Sequence, residues 1–269
     1  MAATLRAEWS PSFLQRLRSM GRVLVALMLR ETKTRFGRSR FGYVWAIVEP
    51  IVYITFFLTI RTFIARGAGA FGESLMLFLM TGLITVRVFL AVSSFTSAAI
   101  LSNRALLAYP PVKPIDVVVS RFLLESLTML FVVVVFYSAL AIVDERNVVP
   151  NHVAFAFGLS ATFLLAAGVG MFNAVVSVLV PTWQRVWALL RLPLFILSGI
   201  FYLPSELPPQ AQAVLWWNPV LHCVEWVRTG TYVTYDPLLD TYYPLSFGAL
   251  FLVGGLTLER VYRFRVLSA

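Results

Sequence analysis

The chain has 269 residues, of which 59% are hydrophobic and 13% charged, and its mean hydropathy is +0.81; together these exclude a soluble domain and mark an integral membrane protein. The net charge of +9 does not point to nucleic acid, because nine of the 22 Lys and Arg precede residue 43, a bias that sets membrane topology. A single cysteine, Cys223, excludes an internal disulfide, and the two histidines, His152 and His222, stand in no metal-ligand spacing, so no metal site is expected.

From the N-terminus, the apolar run VLVALML is seven residues long and has no small-residue cleavage pattern after it, so no cleaved signal peptide is expected. Within residues 12–36, Phe13, Leu14, Leu17, Gly21, Leu24 and Met28 recur at helical spacing, while Arg16, Arg18, Arg22, Arg30 and Lys33 take the other face. This pattern predicts an amphipathic helix lying in the membrane interface, where anionic lipid favours each cation by about 1 kcal/mol. Residues 1–42 are therefore taken as a cytoplasmic tail plus interface helix, with Gly37 and Gly42 letting the chain turn upward.

A hydrocarbon core of ~30 Å needs about 20 mostly apolar residues in a helix. Six stretches meet this in residues 43–269: 43–64, 74–100, 116–143, 153–180, 185–203 and 242–261. The basic residues of the short connections (Arg104 and Lys113, Arg185, and Arg260, Arg263 and Arg265) fall on one side with the basic N-terminus, which places both termini in the cytoplasm. The fold class is thus all-α integral membrane.

The connection SNRALLAYPPVKPID, residues 102–116, presents a short stiff helix to the cytoplasm: Asn103 caps it, it runs through Leu107, and Pro110 and Pro111 stop it. Residues 203–241 carry prolines at 204, 208, 209, 219 and 237 that divide two apolar pieces too short to span, which fits a re-entrant or interfacial helical hairpin. Trp216, Trp217 and Trp226 suit the headgroup level of that hairpin, and Glu225 and Arg228, one helical step apart, are placed to pair. A catalytic Glu225 is disfavoured, because no partner acid, nucleophile or metal ligand accompanies it.

Charges inside apolar spans are costly and either pair or line a path. Counting depth along each helix puts Glu49 level with Arg121, and Arg87 within side-chain reach of Glu125, so two interhelical pairs are expected: Glu49 with Arg121 and Arg87 with Glu125. Arg87 reads equally well as part of a transport path. The only lysines, Lys33 after Thr32 and Lys113 after Val112, exclude a Walker A loop, so any ATP hydrolysis belongs to another subunit.

The order RETKTRFGRSRFGYVWAIVEP, then NRALLAYPPVKPID, then LPLFILSGIFYLPSELPPQAQAVLWWNPVLHCVEWVR resembles the transmembrane subunit of ABC exporters of the ABC-2 type. It is most similar to the branch that exports capsular polysaccharide in Gram-negative bacteria, the KpsM-like permeases. The resemblance implies a type V exporter fold with six spans per subunit, a homodimer, and two copies of a cytoplasmic KpsT-like ABC ATPase that bind the ATP and Mg; no cofactor is expected on this chain. It further implies that a coupling helix at about 103–113, carrying Asn103, Arg104, Leu106, Leu107, Tyr109 and Lys113, rests on the ATPase, and that about 203–241 forms periplasmic re-entrant helices. The implied cargo is a lipid-linked anionic polysaccharide crossing the bacterial inner membrane, with a KpsE-like periplasmic adaptor and an outer-membrane channel beyond. With an anionic cargo the basic run serves more than topology, because Arg38 and Arg40 would recruit the polymer, Tyr43 and Trp45 would offer faces for sugar rings, and Arg87 would lie deeper on the same route. The competing readings are an ABC-2 permease for O-antigen, teichoic acid or a hydrophobic drug, and an integral-membrane enzyme of envelope lipid synthesis.

Overall fold

The computed structural model describes residues 13–36, 48, 51–53, 55–56, 59, 75–107, 112–144 and 147–268. Among these residues the regular structure is helical throughout, without a strand. In chain order the helices are α1 (Phe13–Phe36), α2 (Leu75–Ser97), α3 (Ala99–Ser102), α4 (Arg104–Leu107), α5 (Pro114–Asp144), α6 (His152–Leu179), α7 (Trp183–Ile196), α8 (Pro209–Leu215), α9 (Pro219–Thr231), α10 (Tyr242–Val261) and α11 (Arg263–Ser268).

Four described helices, α2, α5, α6 and α10, are long and apolar enough to cross a membrane. They start and end within three residues of the expected second, third, fourth and sixth spans. The expected first span, 43–64, falls largely outside the described residues. The expected fifth span is realised as α7, only 14 residues or about 21 Å long, which is short of a ~30 Å core. Pro193 inside α7 removes a backbone donor, and the chain turns just beyond the helix at Gly199, whose φ of 72° is open chiefly to glycine. Apolar composition continues to residue 203, but the helix does not.

Lipid tails are as apolar as leucine, so close packing rather than water exclusion holds such helices together. Helix α6 is the hub, packed against α2, α9 and α10. At the α6–α10 crossing a Cβ built on Gly168 would lie 2.1 Å from the carbonyl oxygen of Gly248. The two backbones touch there, and any side chain would force them apart.

Two cores result. The larger joins α2, α5, α6 and α9 through residues such as Val86, Phe89, Val133, Leu165 and Val224. The smaller gathers Leu27 of α1, Ala99 and Ile100 of α3, Leu107 of α4, Val117 and Val118 of α5, Val175 of α6 and Val266 of α11 at one end of the bundle. Helix α1 therefore packs on the bundle: Leu27 and Glu31, one turn apart, are buried toward α5, while Val25 and Leu29 stay exposed.

Local caps position the ends. The Asp116 carboxylate accepts the Lys113 backbone N–H at 3.1 Å at the start of α5, the Asn151 side chain accepts from the Ala154 N–H at 3.0 Å to start α6, and Asn218 accepts from Val220 N–H at 3.0 Å ahead of Pro219 in α9.

Candidate functional site

Among the polar arrangements that interrupt this apolar bundle in the described residues, three hold its intramembrane arginines, one at each end and one between. At the end where α1, α3 and α4 meet, Arg121 of α5 donates through Nη2 to Glu31 of α1 and through Nη1 to Ser102 Oγ at 3.3 Å. Its guanidinium carbon sits 4.7 Å from the Phe95 ring centroid. The neighbouring α1 residue, Arg30, donates to Asn103 Oδ1 at 2.9 Å, and Asn103 Nδ2 donates back to the Ala99 carbonyl at 3.0 Å. Consecutive side chains of α1 thus clasp both α5 and the connection that follows α2.

This geometry adds an unforeseen partner to Arg121 and revises the expected cap. Arg121, assigned to Glu49 by depth, pairs with Glu31; Glu49 itself is outside the described residues. Asn103 does not cap α4 through its side chain, which is taken up by Ala99 and Arg30; its backbone carbonyl accepts the Leu106 N–H at 2.9 Å instead. The helical piece here is a single turn, Arg104–Leu107, with Arg104 exposed, Leu106 half-buried and Leu107 buried. Lys113 is exposed, and Tyr109 lies outside the described residues, as do Arg38, Arg40, Tyr43 and Trp45.

Midway along the bundle, α2 and α7 enclose a cavity of about 500 Å³ whose lining includes Tyr53, Arg87, Ser94 and Arg191. Arg87 lies twelve residues into α2, about 18 Å from its start, with its guanidinium carbon 5.5 Å from the Tyr53 ring centroid. Arg191 Nη1 is 3.4 Å from Ser94 Oγ. Among the described residues, the lining holds two guanidinium groups and no carboxylate. Glu125, expected beside Arg87, is buried on α5, one of the helices packed against α2. Sequence reasoning missed Arg191, although it is a charge within the expected fifth span and met the criterion that singled out Arg87.

At the far end, α9 carries a fully buried ion pair. Arg228 Nη1 donates to Glu225 Oε1 at 3.1 Å. The same guanidinium donates to the Gly199 carbonyl at 2.7 Å and to Thr81 Oγ1 at 3.4 Å, and stacks 3.9 Å from the Phe78 ring centroid. Glu225 also accepts from Tyr235 Oη at 2.8 Å and from the Leu238 N–H at 3.1 Å. One pair therefore ties α9 to α2, to the turn after α7 and to the segment before α10. Such a buried pair holds only when its remaining donors and acceptors are satisfied, as these are.

Next to this pair, His222 Nε2 is 2.7 Å from the Trp216 carbonyl and Nδ1 accepts the Asp240 N–H at 3.0 Å, which assigns the neutral ring protonated on Nε2. Burial lowers its pKa from the usual value, in agreement. Cys223 is fully buried, and burial pushes its thiol up to about 12. Trp216 is half-buried among Trp217, His222 and Tyr243, and Trp226 stacks on Phe157 with centroids 6.2 Å apart. Trp217 is 70% exposed.

The model of the ABC-2 type transporter family matches residues 22–232, from α1 through α9. The chain belongs to the ABC-2 type transporter family. This ABC-2 chain is 35% identical over 203 residues to the polysialic acid transport protein KpsM of Escherichia coli, covering 76% of the chain and 78% of that protein. It is 30% identical over 234 residues to the capsule polysaccharide export inner-membrane protein BexB of Haemophilus influenzae, covering 84% and 87%. Against CtrC of Neisseria meningitidis serogroup A, which carries the same description, it is 29% identical over 221 residues, covering 81% and 82%.

Proposed function

We propose that this chain is the permease subunit of an ATP-driven exporter that moves lipid-linked capsular polysaccharide out across the bacterial inner membrane. The observation that supports this most is its similarity, over 76% to 84% of its length, to three proteins named for polysialic acid transport or capsule export. In this reading both termini are cytoplasmic, two copies form the transmembrane unit, and each takes one KpsT-like ATPase that supplies the nucleotide site. A KpsE-like adaptor and an outer-membrane channel would carry the polymer onward.

In this reading the residues take the following roles. The α3–α4 connection rests on the ATPase, and the clasp of Arg30 and Glu31 on Asn103 and Arg121 passes its movement into α1 and α5 together. Helix α1 lies in the cytoplasmic leaflet with Val25 and Leu29 toward lipid. The basic run through Arg38 and Arg40, with Tyr43 and Trp45, gathers the anionic cargo at the entrance. At the exit, α8 and α9 form the re-entrant hairpin, fixed by the Glu225–Arg228 pair, with Trp216, Trp217 and Trp226 at the outer headgroups.

The test is complementation. Introduced with its ATPase into a strain whose own capsule permease gene is deleted, the chain should restore surface polysaccharide and co-purify with the ATPase. An ATPase complex that forms while polymer stays inside the cell would assign the chain to another cargo.

A further inference from the structure

One ring at the outer end of the bundle is bonded in a way that only one charge state permits. His222 of α9 is fully buried, and its two nitrogens meet two different pieces of chain. Nε2 donates at 2.7 Å to the Trp216 carbonyl, in the turn between α8 and α9, and Nδ1 accepts at 3.0 Å the N–H of Asp240, two residues ahead of α10. The neutral ring thus ties the turn of the hairpin to the chain that enters α10. A second proton would go to Nδ1, set a donor against the Asp240 N–H and break that bond. Asp240 also holds the alternative partner: its Oδ1 accepts the N–H of Tyr242 at 2.9 Å and of Tyr243 at 3.3 Å, at the start of α10. An imidazolium here draws that carboxylate, so one protonation exchanges the bonds at the start of α10 for an ion pair. The other elements packed on α9 bring no competing charge to the ring. On α9 itself Glu225 is taken up by Arg228, Tyr235 and the Leu238 N–H. The one titratable group of α6, His152, is exposed at its first residue; the one charge of α2, Arg87, lines the cavity against α7; α10 brings Tyr243, with ring centroids 5.1 Å apart. Burial lowers the pKa of His222, offset in part by the Trp216 carbonyl and by Asp240, so the ring is neutral near pH 7 and charges below about pH 6.5.

We propose that His222 is a proton-operated latch on the outer hairpin: neutral, it fastens residues 232–241 to the α8–α9 turn, and protonated from the periplasm it gives up the Asp240 N–H, takes the Asp240 carboxylate and frees that segment. The periplasmic placement rests on the exporter reading above; the latch itself rests on the bonds of one ring. The outer end of the permease then loosens in acid surroundings while the cytoplasmic end, where the α1 clasp sits, does not respond.

Leu239→Cys in a Cys223→Ser background puts a reporter thiol beside Asp240, where the native side chain is half-buried. In the purified permease–ATPase complex its reaction with an impermeant thiol reagent is followed by the intact mass of this chain at about pH 7.5 and about pH 5.5, on either side of the ordinary histidine range. Each rate is divided by that of the same cysteine in a His222→Gln background, which cancels the pH dependence of the thiol. Glutamine offers an N–H and a carbonyl oxygen and does not titrate. The ratio should therefore be near one in the neutral buffer and rise roughly five-fold in the acid one, the effect of losing one hydrogen bond of ordinary net worth. Asp240→Asn keeps the side-chain oxygen but removes the charge that favours the imidazolium, so the acid-induced rise should move to lower pH, a comparison that does not need the glutamine variant. A ratio that stays near one in acid overturns the latch, and an unmoved rise in Asp240→Asn overturns the exchange of partners. In sealed vesicles with the ATPase inside, external acid should produce the same rise; a rise only on internal acidification overturns the periplasmic placement. The exporter reading fails separately, if the wild-type chain restores no surface polysaccharide, and a segment that ignores pH leaves it standing.

Discussion

Replacing Arg228 with methionine tests how the outer hairpin is held. The substitution keeps an apolar stem beside Phe78 but removes the guanidinium that meets Glu225 at 3.1 Å, the Gly199 carbonyl at 2.7 Å and Thr81 Oγ1 at 3.4 Å. Glu225 would remain buried, served only by Tyr235 and the Leu238 N–H. Breaking one side of a buried pair costs about 3–5 kcal/mol. At roughly 2–4 °C per kcal/mol for a chain of this size, the unfolding temperature should fall by roughly 6–20 °C. The protein supplies its own reporter: Cys223, the single cysteine, is fully buried on the same helix with a thiol pushed up to about 12, so a thiol-reactive dye stays dark until α9 opens. Glu225→Leu should fall comparably, and the double variant should cost less than the two singles together, by about 0.5–3 kcal/mol, because neither charge is then left alone. Single variants within about 1 kcal/mol of wild type, or strict additivity, would refute the pair as the lock of the hairpin.

Leu106→Pro removes the N–H that bonds the Asn103 carbonyl in the one-turn α4, so export should stop while the subunit still inserts and still binds its ATPase; surface polysaccharide and co-purification report this. Trp217 is 70% exposed on the single chain and is placed at the lipid headgroups: Trp217→Cys in a Cys223→Ser background should react far more slowly in whole membranes with an impermeant thiol reagent than Asp236→Cys, and equal labelling would mean an aqueous loop. His222, with its pKa lowered by burial, binds a proton more readily unfolded than folded, so stability is full above about pH 6.5 and is lost as pH falls through the folded value, by at most about 1.4 kcal/mol per pH unit. His222→Gln should flatten the drop in unfolding temperature between about pH 7.5 and 5.5.

The four full-length helices were legible because a fixed membrane thickness demands about 20 apolar residues, and the sequence offers such runs with polar breaks between them. The same criterion overran at α7, where Pro193 and the turn at Gly199 end the helix while the composition stays apolar. The Glu225–Arg228 pair could be foreseen because both residues ride one helix three positions apart. Its other partners could not: Thr81 lies 147 residues away and Gly199 29, and only the packing of α9 against α2 and against the turn after α7 brings them in. The contact of Arg121 with Glu31 was not foreseen because depth along a span compares only residues within spans; the expected partner, Glu49, lies outside the described residues. Glu31 belongs to a helix assigned to the membrane surface, and no periodicity reveals that α1 turns a carboxylate into α5.

The most direct measurement reconstitutes the purified permease with its ATPase in liposomes, with lipid-linked capsular polysaccharide and ATP supplied on the ATPase side. The account predicts polymer that becomes accessible to a polysaccharide lyase in the opposite compartment, dependent on hydrolysable ATP and lost in the Leu106→Pro complex. Intact ATP hydrolysis with no polymer crossing, while a non-polysaccharide lipid or drug crosses in the same liposomes, would contradict it.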